Sequence, residues 1–350
     1  MERNLKYMFS LIPGILALAG NISGGWFTLA NFIFSLVILG ILEVFLGNDR
    51  SNGHTAKSDP FPTAILYGHV LLHTAVVASL FYGIFNGKLQ GYFILTAALS
   101  SAVEAGSGAI VIAHELVHKM NVQSRIAGKY MLAISGNIYF YVHHLRIHHK
   151  YVGMARDAAT ARKGESLYAF AWRTVWEQLV QAWDSEANRL QKVGKTPISF
   201  QNEIVLNLLL QFLILCLIGT FCGLTGLLVY FFYIIVANFL LEYVNYIEHY
   251  GLIRNADEKV GYNHSWNSDK KVSRFMLIDL SRHADHHFYP SKPYHILNTT
   301  ENGPVLPGGY ASMILPALIP PWWFATMHQA LEKYSLIKEI EENKFNEIKG

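Results

Sequence analysis

Cysteine and charged residues are both scarce in this sequence. Of its 350 residues only two are cysteine, Cys216 and Cys222, and 15% are charged. So few thiols provide no disulfide framework and argue against an iron–sulfur cluster or a cysteine-based zinc site. No glycine-rich nucleotide fingerprint follows a predicted strand either. Electrons for any redox reaction would therefore have to come from another protein.

Apolar residues are abundant and occur in long runs. Hydrophobic residues make up 52% of the chain, and its mean hydropathy is +0.23, which is typical of an integral membrane protein. Several runs of about 20 residues contain no Lys or Arg, and that length crosses a ~30 Å hydrocarbon core. We predict six membrane-spanning helices, at residues 7–22, 26–46, 63–85, 91–112, 205–224 and 227–248.

The basic residues predict the orientation of these spans. Of 28 Lys and Arg residues, only Lys88 falls in a loop on one side of the predicted membrane. The positive-inside rule therefore places both termini, an insert over residues 113–204 and a tail over residues 249–350 in the cytoplasm. We expect one all-α domain over residues 1–350, a six-helix bundle with a cytoplasmic helical cap. The net charge of +3 reflects this topology, and we predict no nucleic-acid partner.

Four groups of histidines lie at or beyond the cytoplasmic ends of the predicted spans. Many of them are three or four residues apart, so on a helix their rings leave the same face. A single ion rarely takes more than about six ligands, so nine clustered imidazoles predict two ions. Imidazole suits iron, copper, nickel and zinc, and a dinuclear iron site is the first hypothesis. The candidate ligands are His114, His118, His144, His148, His149, His249, His283, His286 and His287.

Other titratable residues lie beside these histidines or within the spans. Glu115, Glu248 and Asp285 are predicted to accept an N–H from a ligating ring and so to fix its tautomer. His69 and His73 lie one helical turn apart inside the third predicted span. A histidine at that depth usually faces the bundle interior, so the pair either supports the metal site or bonds to neighbouring groups.

Two remote alternatives to a di-iron enzyme are a zinc protease and a metal transporter. Residues 114–118 match the H-E-x-x-H pattern of zinc proteases, in which the glutamate is the general base. A protease would need only one further ligand and leaves most of the histidines unexplained. A metal transporter would hold its ions near the membrane midplane on broken helices, whereas these histidines lie at the cytoplasmic boundary.

Several segments of the chain carry a resemblance to a known family. They are His114–Lys119, residues 144–149, Ala161–Tyr168, Asn245–Leu252, His264–Ser268, residues 282–287, Leu306–Tyr310 and residues 319–322. Together they resemble the membrane-bound alkane 1-monooxygenases, or alkane omega-hydroxylases. Histidine boxes alone occur across the fatty-acid desaturase-like superfamily, but the Asn-Tyr-Ile-Glu-His-Tyr-Gly element at residues 245–251 is more selective. Xylene monooxygenase-like proteins come close to it.

This resemblance implies a bacterial inner-membrane enzyme with its active site on the cytoplasmic side. It implies two non-haem irons and the O2-dependent hydroxylation of medium- to long-chain n-alkanes to 1-alcohols. Electrons would come from rubredoxin and rubredoxin reductase. The alternatives are a xylene monooxygenase-like enzyme and a fatty-acid desaturase or hydroxylase of the same superfamily. The family usually has Glu where this chain has His143, and we expect His143 to lie outside the ligand set.

The second predicted span contains small residues that favour a substrate channel. An alkane partitions into the bilayer and can enter a metal site between the spans. Ser35 and Gly40 are small enough to leave room for such a chain, so we expect both to line the channel.

Overall fold

Helices make up nearly all of the regular structure. The structure is a computed structural model that describes residues 2–52, 59–300 and 303–349, and over these ranges it has no β-strand, only two isolated β-bridges. Its main helices are α1 (Ile12–Ser23), α2 (Gly25–Leu46), α3 (Pro60–Phe85), α4 (Tyr92–His118), α5 (Val122–Ile134), α6 (residues 140–151), α7 (Leu167–Gln191), α8 (Glu203–His249), α9 (Lys271–Met276), α10 (His283–Phe288), α11 (Ile314–Leu318) and α12 (Pro320–Lys349).

Four of these helices, α2, α3, α4 and α8, are long and apolar enough to cross a membrane. Gly223 divides α8 into two legs because its φ of 60° and ψ of −156° suit glycine alone. The two legs coincide with the fifth and sixth predicted spans. The first predicted span corresponds to a 3-10 helix, Lys6–Leu11, followed by α1, and it is not one of the four. The all-helical membrane fold is confirmed, and the six-span arrangement remains a prediction.

The first leg of α8 presents an apolar surface outward. Leu209, Phe212 and Leu217 are exposed on it. Every backbone group of a helix finds its partner within the helix, so an outer face of this kind suits contact with lipid rather than with water.

α4 and the second leg of α8 approach each other closely through Gly106. A Cβ at residue 106 would lie 2.6 Å from Cβ of Leu240 and 2.8 Å from the carbonyl oxygen of Ala237. Small residues allow this near contact of backbones in membrane helices. The contact brings together the ends of the two helices, which carry His114 and His249.

The insert and the tail fold back onto the same end of the bundle. α5 packs on the end of α4, where a Cβ at Gly128 would lie 3.0 Å from the carbonyl oxygen of Ala113. α7 packs along α8, where Gln178 donates to the buried carboxylate of Glu242. In the tail, the backbone N–H of Trp266 donates to the carbonyl of Glu248 at 2.8 Å. These contacts place α6 and α10 over the ends of α4 and α8.

Candidate metal centre

The nine predicted histidine ligands come together in two adjacent groups. In each group one nitrogen of every ring lies within 4.8 Å of the corresponding nitrogens of the others. The first group contains His114, His118, His144, His149 and His286, and the second contains His148, His249, His283 and His287. Four separate parts of the chain therefore contribute to one compact cluster.

The ring nitrogens point at one another across each group. In the first group the Nε2 atoms of His118, His144 and His149 lie 3.0 to 3.1 Å apart, and Nε2 of His286 lies 3.2 Å from that of His149. In the second group, Nε2 of His283 lies 3.2 Å from that of His249 and 2.9 Å from that of His287. Converging nitrogens at these separations can share one central ion.

A π-helical turn over His144–His148 decides which rings of the second histidine box go together. The N–H of His149 bonds to the carbonyl of His144, five residues earlier. His144 and His149 therefore share the first group, while His148 turns to the second. The four-residue spacing of His144 and His148 predicts rings on one face of an α-helix, and the π-turn corrects this expectation. α10 likewise divides its rings, because His286 joins the first group whereas His283 and His287 join the second.

The donor set fits metal ions. Burial lowers the pKa values of His144, His149, His283, His286 and His287, which lie outside the spans, well below the usual range. Neutral imidazole is the form that binds a metal. Among the described residues, Nε2 of His114 and Nε2 of His148 are buried without a hydrogen-bond partner. Buried polar atoms rarely lack one, and a metal ion would occupy their lone pairs.

Two rings of the second group are held by partners on their outer nitrogens. Nδ1 of His148 donates to the carboxylate of Asp157 at 2.9 Å, and Nδ1 of His249 donates to the carbonyl of His264 at 3.1 Å. These bonds leave Nε2 free to face the group, as in carboxylate–histidine–metal arrangements. Burial would raise the pKa of Asp157, but the neighbouring His148 lowers it to about 2, so Asp157 is a carboxylate. Asp157 is not among the predicted site residues, and its only signal in the sequence is its place shortly after the second histidine box.

Glu248 contacts a ring of the second group at the nitrogen that faces the group. Its Oε2 lies 3.1 Å from Nε2 of His283, the nitrogen that faces the group, and its Oε1 accepts a hydrogen bond of 2.8 Å from the hydroxyl of Tyr310. The carboxylate thus lies at the inner edge of the cluster. Tyr310 is a further site residue, outside the predicted set.

The other two predicted carboxylates contact neighbouring chain segments. Asp285 accepts hydrogen bonds from Lys292 at 2.5 Å and from the backbone N–H of Asn298 at 2.7 Å. Glu115 lies 3.6 Å from Lys119 and accepts a long hydrogen bond from the N–H of Tyr294. In the described residues these contacts secure the chain around α10, and none of them is to a ligating ring.

His143 and the intramembrane pair also lie outside the two groups. Nε2 of His143 lies 3.0 Å from Oε1 of Gln181 and 3.9 Å from Asp157. Its connection to the cluster therefore runs through Asp157 and His148 and not through a direct bond to a ring. Burial lowers its pKa to about 4, so this ring is neutral at physiological pH.

His69 and His73 bond to other buried side chains. Nε2 of His69 lies 2.8 Å from the hydroxyl of Ser10, and Nδ1 of His73 lies 2.6 Å from the carboxylate of Glu104. Nε2 of His73 also lies 3.2 Å from the hydroxyl of Ser135. These contacts join α3 to α4 and to the end of α5.

Comparisons with known proteins agree with this site. The fatty acid desaturase family model matches residues 90–317. The chain is 35% identical to alkane 1-monooxygenase 1 of Pseudomonas aeruginosa, over 89% of this chain and 86% of the relative. It is 31% identical to alkane 1-monooxygenase of Acinetobacter baylyi, over 92% of this chain and 84% of the relative. The chain belongs to the alkane 1-monooxygenase family. A third relative, the xylene/toluene monooxygenase hydroxylase component XylM of Pseudomonas putida, is 28% identical over 91% of this chain and 86% of its own length.

The chain is therefore a monooxygenase, an oxidoreductase of the desaturase-like membrane proteins. The matched range begins just before α4 and ends in α11, so it includes all nine clustered histidines. The resemblance drawn from the histidine boxes and from residues 245–251 is thereby confirmed.

In this monooxygenase an apolar cavity of about 60 Å³ lies between α2, α4, α8 and the tail. Ser35 lines it, is buried, and donates its hydroxyl to Asn31 at 2.7 Å. Gly40 is not among the lining residues; a Cβ there would lie 3.4 Å from the carbonyl oxygen of Ala311. A second cavity of about 20 Å³ adjoins the first at Gly106 and Val244, and it is lined by Glu248, His114, His144 and His283.

Asp157→Asn tests the orienting role of this carboxylate. The amide keeps the shape of Asp157 but loses the charge that holds the proton of His148 on Nδ1, so metal affinity at the second group should fall about 10- to 100-fold. The measurement is the metal retained by purified protein after dialysis against graded chelator. The exposed Asp184→Asn serves as a control, and equal retention in the two variants would contradict the assignment.

Proposed function

We propose that this monooxygenase uses O2 to hydroxylate medium- to long-chain n-alkanes at the terminal carbon, giving 1-alcohols at a non-haem di-iron site. One oxygen atom enters a C–H bond and the other leaves as water, with two electrons and two protons supplied from outside the chain. The observation that carries the proposal is a buried apolar cavity that adjoins, at Gly106 and Val244, a smaller cavity lined by histidines of both groups. An alkane has no polar group to bind, so a buried apolar cavity is the site it needs.

The proposed ligands are the nine clustered histidines, five for one iron and four for the other. Two bound irons would supply the activated oxygen that an unactivated methyl group requires. Asp157 and the carbonyl of His264 would hold the rings of His148 and His249 in their binding tautomers. Glu248 and the hydroxyl of Tyr310 would lie where the substrate cavity meets the cluster.

The chain's apolar surfaces would bring the substrate to these residues. An alkane dissolves in the bilayer and would enter between α2 and α8 on the way to Ser35. The small cavity at Gly106 and Val244 would carry its end to the cluster, and the surrounding apolar side chains would exclude water. The distribution of Lys and Arg supports a site on the cytoplasmic side, and the family supports a bacterial inner membrane.

The test of this function supplies whole cells with n-alkanes of graded length and identifies the products by mass. Terminal alcohols from chains of medium length or longer are expected in cells that express the protein and not in cells that express His286→Ala. Methyl hydroxylation of xylenes without alkane oxidation would instead support the xylene monooxygenase alternative. Desaturated or hydroxylated fatty acids would support the desaturase alternative.

Metal analysis tests the proposed centre itself. Purified protein should contain two irons per chain. His249→Ala leaves three imidazoles in its group, whereas His286→Ala leaves four, so His249→Ala should lose more iron, and both should lose activity. One zinc and no iron in the unmodified protein would contradict the di-iron proposal.

Ser35→Trp tests the path of the substrate. An indole at this buried position would fill the cavity between α2 and α8, so the longest alkane accepted should shorten by several carbons. Leu71→Trp is the matched control, because Leu71 is exposed on α3, at 75% of its accessible area. An unchanged length profile in Ser35→Trp would place the channel elsewhere.

We further propose that the electron donor, a rubredoxin reduced by its reductase, docks on a basic groove beside α6. This groove has a volume of about 760 Å³ and is lined in part by Arg146, Arg156, Arg189 and Lys192. Arg146 and Arg189 both pair with Glu186, whereas the guanidinium of Arg156 stacks on Tyr151 at 3.4 Å. Ile147 also lines the groove, and it directly precedes the ligand His148, so a bound donor would lie close to the cluster.

Charge reversal tests the docking site. Arg156→Glu should raise the KM for reduced rubredoxin about tenfold at low salt, and the difference should shrink as ionic strength rises. Lys88→Glu is the control, because Lys88 is the basic residue of a loop on the opposite side of the predicted membrane. A KM that Arg156→Glu leaves unchanged would exclude this groove.

A further inference from the structure

Glu43 is a buried carboxylate near the end of α2 that the metal cluster does not use. Its side chain is only 1% exposed. Oε1 accepts hydrogen bonds from the backbone N–H of Ser273 at 3.0 Å and from the hydroxyl of the same residue. Oε2 accepts one of 2.7 Å from the backbone N–H of Ser312. All three partners are donors, so the position needs two acceptor atoms.

The tail backbone packs directly against the carboxylate of Glu43 at Gly309. A Cβ at Gly309 would lie 2.1 Å from the carboxyl carbon of Glu43 and within 2.5 Å of both its oxygens. The backbone at residue 309 therefore lies directly against the carboxylate, and only glycine leaves room for it there. Glu43 thus joins α2 to two tail segments, one at Ser273 and one around Gly309 and Ser312.

A chain of hydrogen bonds leads from Glu43 to the cluster. The hydroxyl of Ser273 donates to Glu43 and accepts a 2.7 Å bond from the backbone N–H of Tyr310. The hydroxyl of Tyr310 donates to Glu248, which lies 3.1 Å from Nε2 of His283. The carbonyl of Tyr310 accepts a further bond of 2.5 Å from the hydroxyl of Tyr243.

The residues that Glu43 holds also form one wall of the apolar cavity. Ser273, Tyr310 and Ala311 line it, opposite Ser35 and Leu39 of α2. In this wall Ser273 belongs to the short helix α9, whereas Tyr310 and Ala311 lie in an irregular part of the tail. Such a part needs specific bonds to keep one conformation. Glu43 supplies such bonds from the rigid helix on the other side.

We propose that Glu43 is a positioning residue for specificity: it fixes the tail wall of the cavity and so sets which carbon of the substrate reaches the cluster. This inference rests on the proposed hydroxylation at that site. With the wall held, an apolar chain can advance only end-on, past Tyr310, toward His283. With the wall loosened, the chain can bend and present internal carbons.

Glu43→Gln is the decisive variant because it keeps the size of the side chain. Its amide nitrogen would face one of the N–H donors of Ser273 or Ser312, so at least one buried hydrogen bond is lost. We expect the ratio of subterminal to terminal alcohols to rise about tenfold, the scale of one lost bond to a charged group. Iron content should remain that of the unmodified protein.

Hydrogen–deuterium exchange gives a readout that needs no turnover. The backbone amides of Ser273, Tyr310 and Ser312 should exchange faster in Glu43→Gln, whereas amides of α10 should not change. Gly309→Ala should reproduce both results, because its methyl group displaces the carboxylate without altering Glu43. Gly219→Ala is the matched control, since a Cβ there would lie 3.6 Å from Leu227, an ordinary van der Waals contact.

A double variant tests whether Glu43 acts on Tyr310 through its hydrogen bond to Ser273. Ser273→Ala breaks the link between Glu43 and Tyr310, so Glu43→Gln combined with Ser273→Ala should alter the product ratio little more than either change alone. If the unmodified protein forms 1-alcohols and Glu43→Gln forms the same products in the same ratio, the inference is overturned. If the unmodified protein oxidises no alkane, the proposed function fails, and the exchange measurements still decide whether Glu43 holds the wall.

Discussion

The convergence of nine imidazoles, most of them packed edge to face, is the constraint on which the rest of this protein depends. Their inner nitrogens lie about 3 Å apart in several pairs, and at least two have no protein partner in the described residues. Buried polar atoms in that position are costly unless something binds them, and metal ions suit the donor set. The histidines form this donor set only if four parts of the chain converge: the ends of α4 and α8, the insert and the tail.

The close approach of α4 and α8 brings the histidines together and also shapes the cavity. Gly106 lets the two backbones meet at Leu240 and Ala237, and its lack of a side chain also leaves space where the two cavities adjoin. A larger residue would separate the histidines at the helix ends and close the route to them. Metal binding and substrate access therefore depend on the same small residue.

Tyr310 connects the cavity wall to the histidine cluster. The backbone of Tyr310 belongs to the wall that Glu43 holds, while the hydroxyl of Tyr310 donates to Glu248 at the inner edge of the cluster. An irregular segment is thus bonded at one end to a membrane helix and at the other to a carboxylate beside the histidine cluster. The geometry of the cavity and that of the cluster are linked through one side chain.

The sequence alone determined the membrane helices, the histidine cluster and the family. Long runs without Lys or Arg predicted membrane helices because length and polarity decide whether a helix can cross a bilayer. The spacing of the histidine boxes predicted a metal cluster, and the Asn-Tyr-Ile-Glu-His-Tyr-Gly element indicated the family that the comparisons confirmed. The tertiary structure decided how the nine rings divide, because the π-turn at His144–His148 reverses the pairing that α-helical spacing implies. It also brought in Asp157, Tyr310 and Glu43, since bonds between segments far apart in the chain leave no periodic pattern in a sequence.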